Sequence, residues 1–145
     1  MKLLEKSFLM ICMTALLSFA IFLTNDNHAS AMSLSDLQGT YRIVDSDTTQ
    51  LGGQHSKGGV VELKYIDGEL VGIGKNSPSN GDGFSAGAKV IYDVWVDAGV
   101  IHCKASYSVA IDRKDSILQV YDNGNTLKVS HKAGLEYFWI MKKTN

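Results

Sequence analysis

Val100-Ile101-His102-Cys103-Lys104-Ala105-Ser106-Tyr107-Ser108-Val109 is the stretch on which the fold class turns. Ile101, Cys103, Ala105, Tyr107 and Val109 fall on odd positions, and His102, Lys104, Ser106 and Ser108 on even ones. Successive side chains of a strand point to opposite faces, so this alternation predicts a strand with one face in a core and the other in water. Val61, Leu63 and Tyr65 against Glu62 and Lys64 repeat the pattern, as do Leu127 and Val129 against Lys128 and Ser130. Working outward gives strands over 39–45, 59–66, 69–75, 89–97, 100–111, 116–121, 126–132 and 135–142. Asp67-Gly68, Asp97-Ala98-Gly99, Asp122-Asn123-Gly124-Asn125 and Ala133-Gly134 supply residues that tolerate the positive φ of tight hairpins. Consecutive hairpins make a meander, and closing it removes the edges through which sheets aggregate. The expected fold is therefore all-β, an up-and-down antiparallel barrel of about eight strands. Ser33-Leu34-Ser35-Asp36-Leu37 is the exception, a short helical turn placed to plug or cover one barrel end.

The strand over 89–97 departs from the rule. Val90, Tyr92, Val94 and Val96 share one face, but Ile91 and Trp95 sit on the nominally outer face beside Asp93. An apolar outer face asks for cover, either from the N-terminal turn or from a second molecule. Two connections, 46–58 and 76–88, are too long for tight turns, and such loops in compact domains carry function or none. In up-and-down order they share one end of the barrel, which is the expected mouth.

Residues 1–31 read as an export signal. A weakly basic start, Met-Lys-Leu-Leu-Glu-Lys, precedes an uncharged apolar run over 7–24, and Ala29-Ser30-Ala31 presents the small residues of a cleavage site. Cleavage after Ala31 is expected, with secretion or residence in the periplasm or cell envelope. A retained anchor is the competing reading, since the run is near the lower length for crossing a bilayer. Cys12 lies mid-run behind Ile11, which does not suit lipid attachment. Processing leaves residues 32–145 as one domain, long enough to bury roughly two-thirds of its unfolded surface. Cys103 is then the only cysteine, so the core and no internal disulfide holds the fold. Taking Lys2, Lys6, Glu5 and Asp26 from 14 basic and 15 acidic residues leaves the charges near balance. With no basic run, nucleic acid and stable membrane insertion after processing are not expected.

No motif points to a reaction. Gly83-Phe84-Ser85-Ala86-Gly87 matches a nucleophile elbow as a string but sits in a Gly/Ser loop, without the strand and helix the elbow requires. Cys103 and His102 are strand neighbours and face opposite ways, so they do not form a nucleophile and base pair. His55, His102 and His131 are dispersed, and neither Asp45, Asp47, Thr48 and Thr49 nor Asn76, Asn80 and Asp82 has the spacing of a calcium loop. No catalytic residue, metal or cofactor is expected, and turn capping accounts for the Asp and Asn residues. The aromatic set Tyr41, Tyr65, Tyr92, Tyr107 and Trp139 reads either as core packing or as the lining of a cavity whose hydroxyls meet a ligand. An eight-strand barrel is wide enough for either.

Leu37-Gln38-Gly39-Thr40-Tyr41 resembles the Gly-x-Trp signature of lipocalin-like (calycin) barrels, with Tyr41 where the family has tryptophan. Tyr137-Phe138-Trp139-Ile140-Met141-Lys142-Lys143 is similar to their closing strand, which ends in a cation packed over the first strand's ring. Gly39-Thr40-Tyr41-Arg42, Asp67-Gly68 with Leu70-Val71-Gly72, and Gly124-Asn125-Thr126-Leu127-Lys128-Val129 resemble small exported bacterial barrels of unassigned function. The resemblance spans 37–143 in a chain shorter than a typical lipocalin. It implies a barrel that binds a small apolar or amphipathic molecule inside. The alternative function is a protein-interaction or inhibitor module at the envelope, with a partner or dimer on the Trp95 face.

Overall fold

The computed structural model describes residues 32–48, 56–76, 84–108, 113–131 and 137–145. The expected signal segment, its cleavage site and the Ala133-Gly134 turn lie outside the described residues. Within them the chain forms β1 (Gly39–Thr48), β2 (Val60–Ile66), β3 (Glu69–Asn76), β4 (Lys89–Asp97), β5 (Val100–Ala105), β6 (Lys114–Tyr121), β7 (Thr126–His131) and β8 (Tyr137–Lys143). Each strand pairs antiparallel with the next, and β8 returns to β1, so the sheet closes as an eight-strand up-and-down barrel compatible with a lipocalin-like fold.

Closure follows from the local chemistry. Asp67 and Gly68 both take positive φ (53° and 83°), the backbone hand that matches the twist of β2 and β3 across a two-residue turn. Ala98 and Gly99 do the same between β4 and β5. Together with the turn Asp122–Gly124, these connections gather at one end of the barrel, called here the tight-turn end. The other four connections, β1 to β2, β3 to β4, β5 to β6 and β7 to β8, share the opposite, long-loop end.

A 3-10 turn over Leu34–Leu37 stands at the tight-turn end, where Ser33 N–H donates to the Asp36 carboxylate (2.8 Å). Leu37 is fully buried and Leu34 packs on the core. The Tyr41 hydroxyl lies 3.0 Å from both the Leu37 and the Gly124 carbonyl oxygens, tying the turn to β1 and to the β6 to β7 connection. This is the plug that the sequence places before the first strand. The Lys143 ammonium sits 5.7 Å from the centre of the Tyr41 ring, the arrangement that the resemblance implies with tyrosine in place of tryptophan.

Alternation holds where the ladders are regular and fails where they are not. Cys103, Ala105 and Tyr107 point inward from β5 and its continuation, as expected. The strand ends at Ala105, where the sequence predicted it to run on through 106–108, and beyond it Ser108 is buried where outward exposure was expected. In β1 the partners step from Ile43 to Asp45 while β8 steps only from Met141 to Ile140, so Val44 is an extra residue. That bulge turns Ser46 inward and leaves Asp45 and Asp47 on the outer face. β4 carries two such irregularities, one at Val90 and one between Tyr92 and Trp95. Its expected phase is therefore corrected: Ile91 faces inward between Gly72 and Ala105, Tyr92 stands on the outer wall, and Trp95 remains outside.

Candidate functional site

The barrel interior has two halves of different chemistry. Towards the tight-turn end it is hydrocarbon, with Leu37, Leu63, Leu70, Leu127 and Met141 sharing the buried core with Tyr41. Towards the long-loop end it is aromatic and hydroxylic. Among the described residues the buried polar ones are all serines, Ser46, Ser56, Ser108 and Ser116, and all four belong to the long-loop half.

Rings form the walls of that half. Trp139 on β8 meets Tyr107 edge to face (centroids 5.2 Å apart, 62°) and Phe84 likewise (5.9 Å, 62°), while Tyr137 stacks on Tyr107 at 5.7 Å. Phe84 lies flat in a slot made by two glycines. A Cβ on Gly74 would stand 2.5 Å from its ring, and one on Gly59 2.7 Å. Backbone pairing carries the Phe84 side of the connection into the barrel wall: Gly87 N–H donates to Gly74 O (2.7 Å), and Gly74 N–H to Ala88 O (2.8 Å).

The polar atoms divide sharply. Ser56 Oγ donates to Tyr107 O (2.6 Å), the Tyr107 hydroxyl pairs with Ser116 Oγ (2.8 Å), and Ser116 Oγ donates to Lys114 O (2.9 Å). Trp139 Nε1 and Ser46 Oγ, both buried, have no hydrogen-bond partner among the described residues. Buried polar groups are paired in the great majority of cases, so two orphans at one place are a chemical signal. Burial also raises the Tyr107 phenol well above its ordinary pKa, against a lowering from the Ser116 hydrogen bond, and pushes the Cys103 thiol up to about 12. The interior thus penalises negative charge and offers neutral hydrogen bonds within an aromatic box.

The five aromatic residues singled out from the sequence do not converge. Tyr107 and Trp139 come together in this half. Tyr41 belongs to the floor, and Tyr65, at 40% exposure, lies at the tight-turn end of β2. Tyr92 stands outside with the Arg113 guanidinium 3.9 Å above its ring, and its hydroxyl donates to the Lys89 carbonyl. Sequence reasoning missed Ser46, Ser56, Ser116, Phe84 and Tyr137 as site residues. Gly59 and Gly74 were a usable signal, because a glycine within or beside a strand marks the close approach of another group.

His102 and Cys103 lie on opposite sides of the wall. The His102 ring stacks on Trp95 (5.0 Å, 15°) outside, and the thiol is inside. His131 Nδ1 is 2.7 Å from Asp115 O. Among the described residues no three His, Cys, Asp or Glu side chains gather in a way that would hold a metal ion. No family model matches the sequence, and neither a curated protein nor a solved structure matches it.

Proposed function

We propose that this chain is an exported, non-enzymatic barrel that binds a small apolar or amphipathic molecule in the long-loop half of its interior. The observation that carries the reading is the pair of unpartnered buried groups, Ser46 Oγ and Trp139 Nε1, set among aromatic rings. An apolar pocket with a few convergent polar atoms is the usual build of a small-molecule site. Cleavage after Ala31 would deliver the domain outside the cytoplasm. Native mass spectrometry of the processed protein purified from an exporting bacterium tests this, together with titration by an apolar fluorophore. A bound mass that leaves on denaturation, and saturable fluorophore binding, are the expected results. A bare mass with no fluorophore binding overturns the reading.

A second reading, a protein-interaction module, is favoured by a different feature. Tyr65, Ile66, Trp95, Val96, Val100 and Tyr121 are the exposed large apolar residues of the barrel among those described, and every one belongs to the tight-turn end. Exposed apolar residues gathered in one region mark contact surfaces more often than scattered ones do. This surface and the interior site are at opposite ends and do not compete.

A further inference from the structure

We infer that Ser46 and Trp139 form a subsite for one uncharged hydrogen-bond acceptor, the carbonyl oxygen of a ketone, ester or amide carried on an apolar body. The inference rests on the interior-binding reading and deepens it by naming the ligand's chemical class.

Ser46 and Trp139 are direct partners across the β1 to β8 ladder, so their side chains leave the sheet on the same face, a few ångströms apart. Trp139 is 0% and Ser46 2% exposed, so bulk water does not serve either group. The register that faces them is a product of the Val44 bulge. Were Val44 paired in regular alternation instead of bulged, Asp45 and Asp47 would point into the barrel in place of Ser46. The Ser56 and Ser116 hydroxyls of this half are committed to protein partners, Ser56 to Tyr107 O and Ser116 to Lys114 O.

The chemistry of the pair restricts what it can hold. An indole N–H only donates, so its partner must accept, and a serine hydroxyl can donate to the same atom. A carbonyl oxygen has two lone pairs and takes both. A carboxylate would take both as well, but a buried anion needs a compensating cation. No Lys, Arg or His is buried among the described residues. The upward shift of the Tyr107 phenol, whose ring touches Trp139, reports the same penalty on negative charge. The remaining walls, Phe84, Tyr107 and Tyr137, offer ring faces and edges and so suit an apolar body.

A Trp95→Phe protein leaves Trp139 as its one processed-chain tryptophan and provides the test. Three straight-chain probes of equal length are titrated into it: a methyl ketone, the corresponding alkane and the corresponding carboxylate at neutral pH. Trp139 emission reports occupancy, and infrared spectroscopy of a carbonyl-labelled ketone reports hydrogen bonding. The expected results are a bound ketone with its carbonyl stretch moved to lower wavenumber, and a carboxylate at least about tenfold weaker, as burial of an anion without a compensating cation requires. Ser46→Ala should weaken the ketone by about tenfold and leave the alkane unchanged. Ser46→Ala removes one oxygen and keeps the Trp139 reporter, so it decides the matter without disturbing the fold. If the alkane and ketone bind alike, the carbonyl band stays at its free position and Ser46→Ala changes nothing, the pair holds at most a trapped water and the subsite is overturned while interior binding stands. Failure of every probe, the alkane included, overturns interior binding itself.

Discussion

Cys103 is a titratable group with no partner to favour its charged form, and that has a consequence for stability. Burial moves the thiol from its ordinary 9.0 up to about 12, so the folded protein holds this proton more tightly than the unfolded chain does. Below pH 9 both states are protonated and the group is neutral to stability. Between about pH 9 and 12 the unfolded chain alone releases the proton, and folding loses about 1.4 kcal/mol for each pH unit. Tyr41 and Tyr107, both raised by burial, add to the loss above their ordinary 10.0. Urea midpoints measured across this range should fall steadily, and Cys103→Ala should flatten the first part of the decline; an equal slope in the variant would refute the assignment. The same burial predicts that a thiol reagent at pH 8 labels the protein only after unfolding. Tyr41 offers a separate measure of the floor. Tyr41→Phe keeps the ring under Lys143 but strips the one hydrogen shared by the Leu37 and Gly124 carbonyls, and should cost about 1–2 kcal/mol. An unchanged denaturation midpoint would show that the 3-10 turn is held without it.

Strands, turns and their order are legible in the chain because a period of two survives wherever a ladder is regular, and β5 shows this in its Cys103, Ala105 and Tyr107. Bulges are not legible, because an extra residue leaves composition untouched and inverts the facing of everything after it. That is why Ser46 was invisible as a lining residue and why Ile91 and Tyr92 exchange faces, which puts Tyr92 outside the site; Tyr41 and Tyr65 lie away from it because of their positions along β1 and β2. The positive φ of Asp93 (46°) accompanies the second irregularity of β4 and has no glycine to announce it. The slot for Phe84 is partly legible, in two glycines, but its occupant comes from a loop whose only sequence pattern pointed to an unrelated motif. Steric coupling in that slot is testable. Gly74→Ala places a methyl where the Phe84 ring lies and should cost about 1–3 kcal/mol through overpacking. Phe84→Ala should cost about 3–5 kcal/mol by leaving a void beside Trp139. Combined, the methyl enters space the ring has vacated, so the double variant should be at least about 1 kcal/mol more stable than the sum of the two losses. Additive losses would mean that the ring does not occupy the slot.

At the scale of the whole molecule the barrel is polarised along its axis. Closure by the β1 to β8 pairing leaves the sheet no free edge among the described strands, so the barrel wall offers a partner side chains and not an unpaired strand. One end carries the buried serines and aromatic rings; the other is sealed by Leu37 and carries exposed apolar residues. Trp95 is the most telling of these. It is 45% exposed although its ring already stacks on His102, and the outward-facing Val100 lies one step further along the same hairpin. Neither residue belongs to the core, so Trp95→Ser should change folding stability by no more than about 0.5 kcal/mol, as for ordinary surface positions. If the tight-turn end docks a partner or a second copy, the same substitution should abolish that contact. Sedimentation velocity over a range of concentrations, with an affinity pull-down, separates these effects. A concentration-dependent rise in sedimentation coefficient, or a recovered partner, that vanishes in Trp95→Ser while interior ligand binding persists would establish two independent faces on one barrel. An identical hydrodynamic radius and partner set in the variant would leave the interior as the functional end.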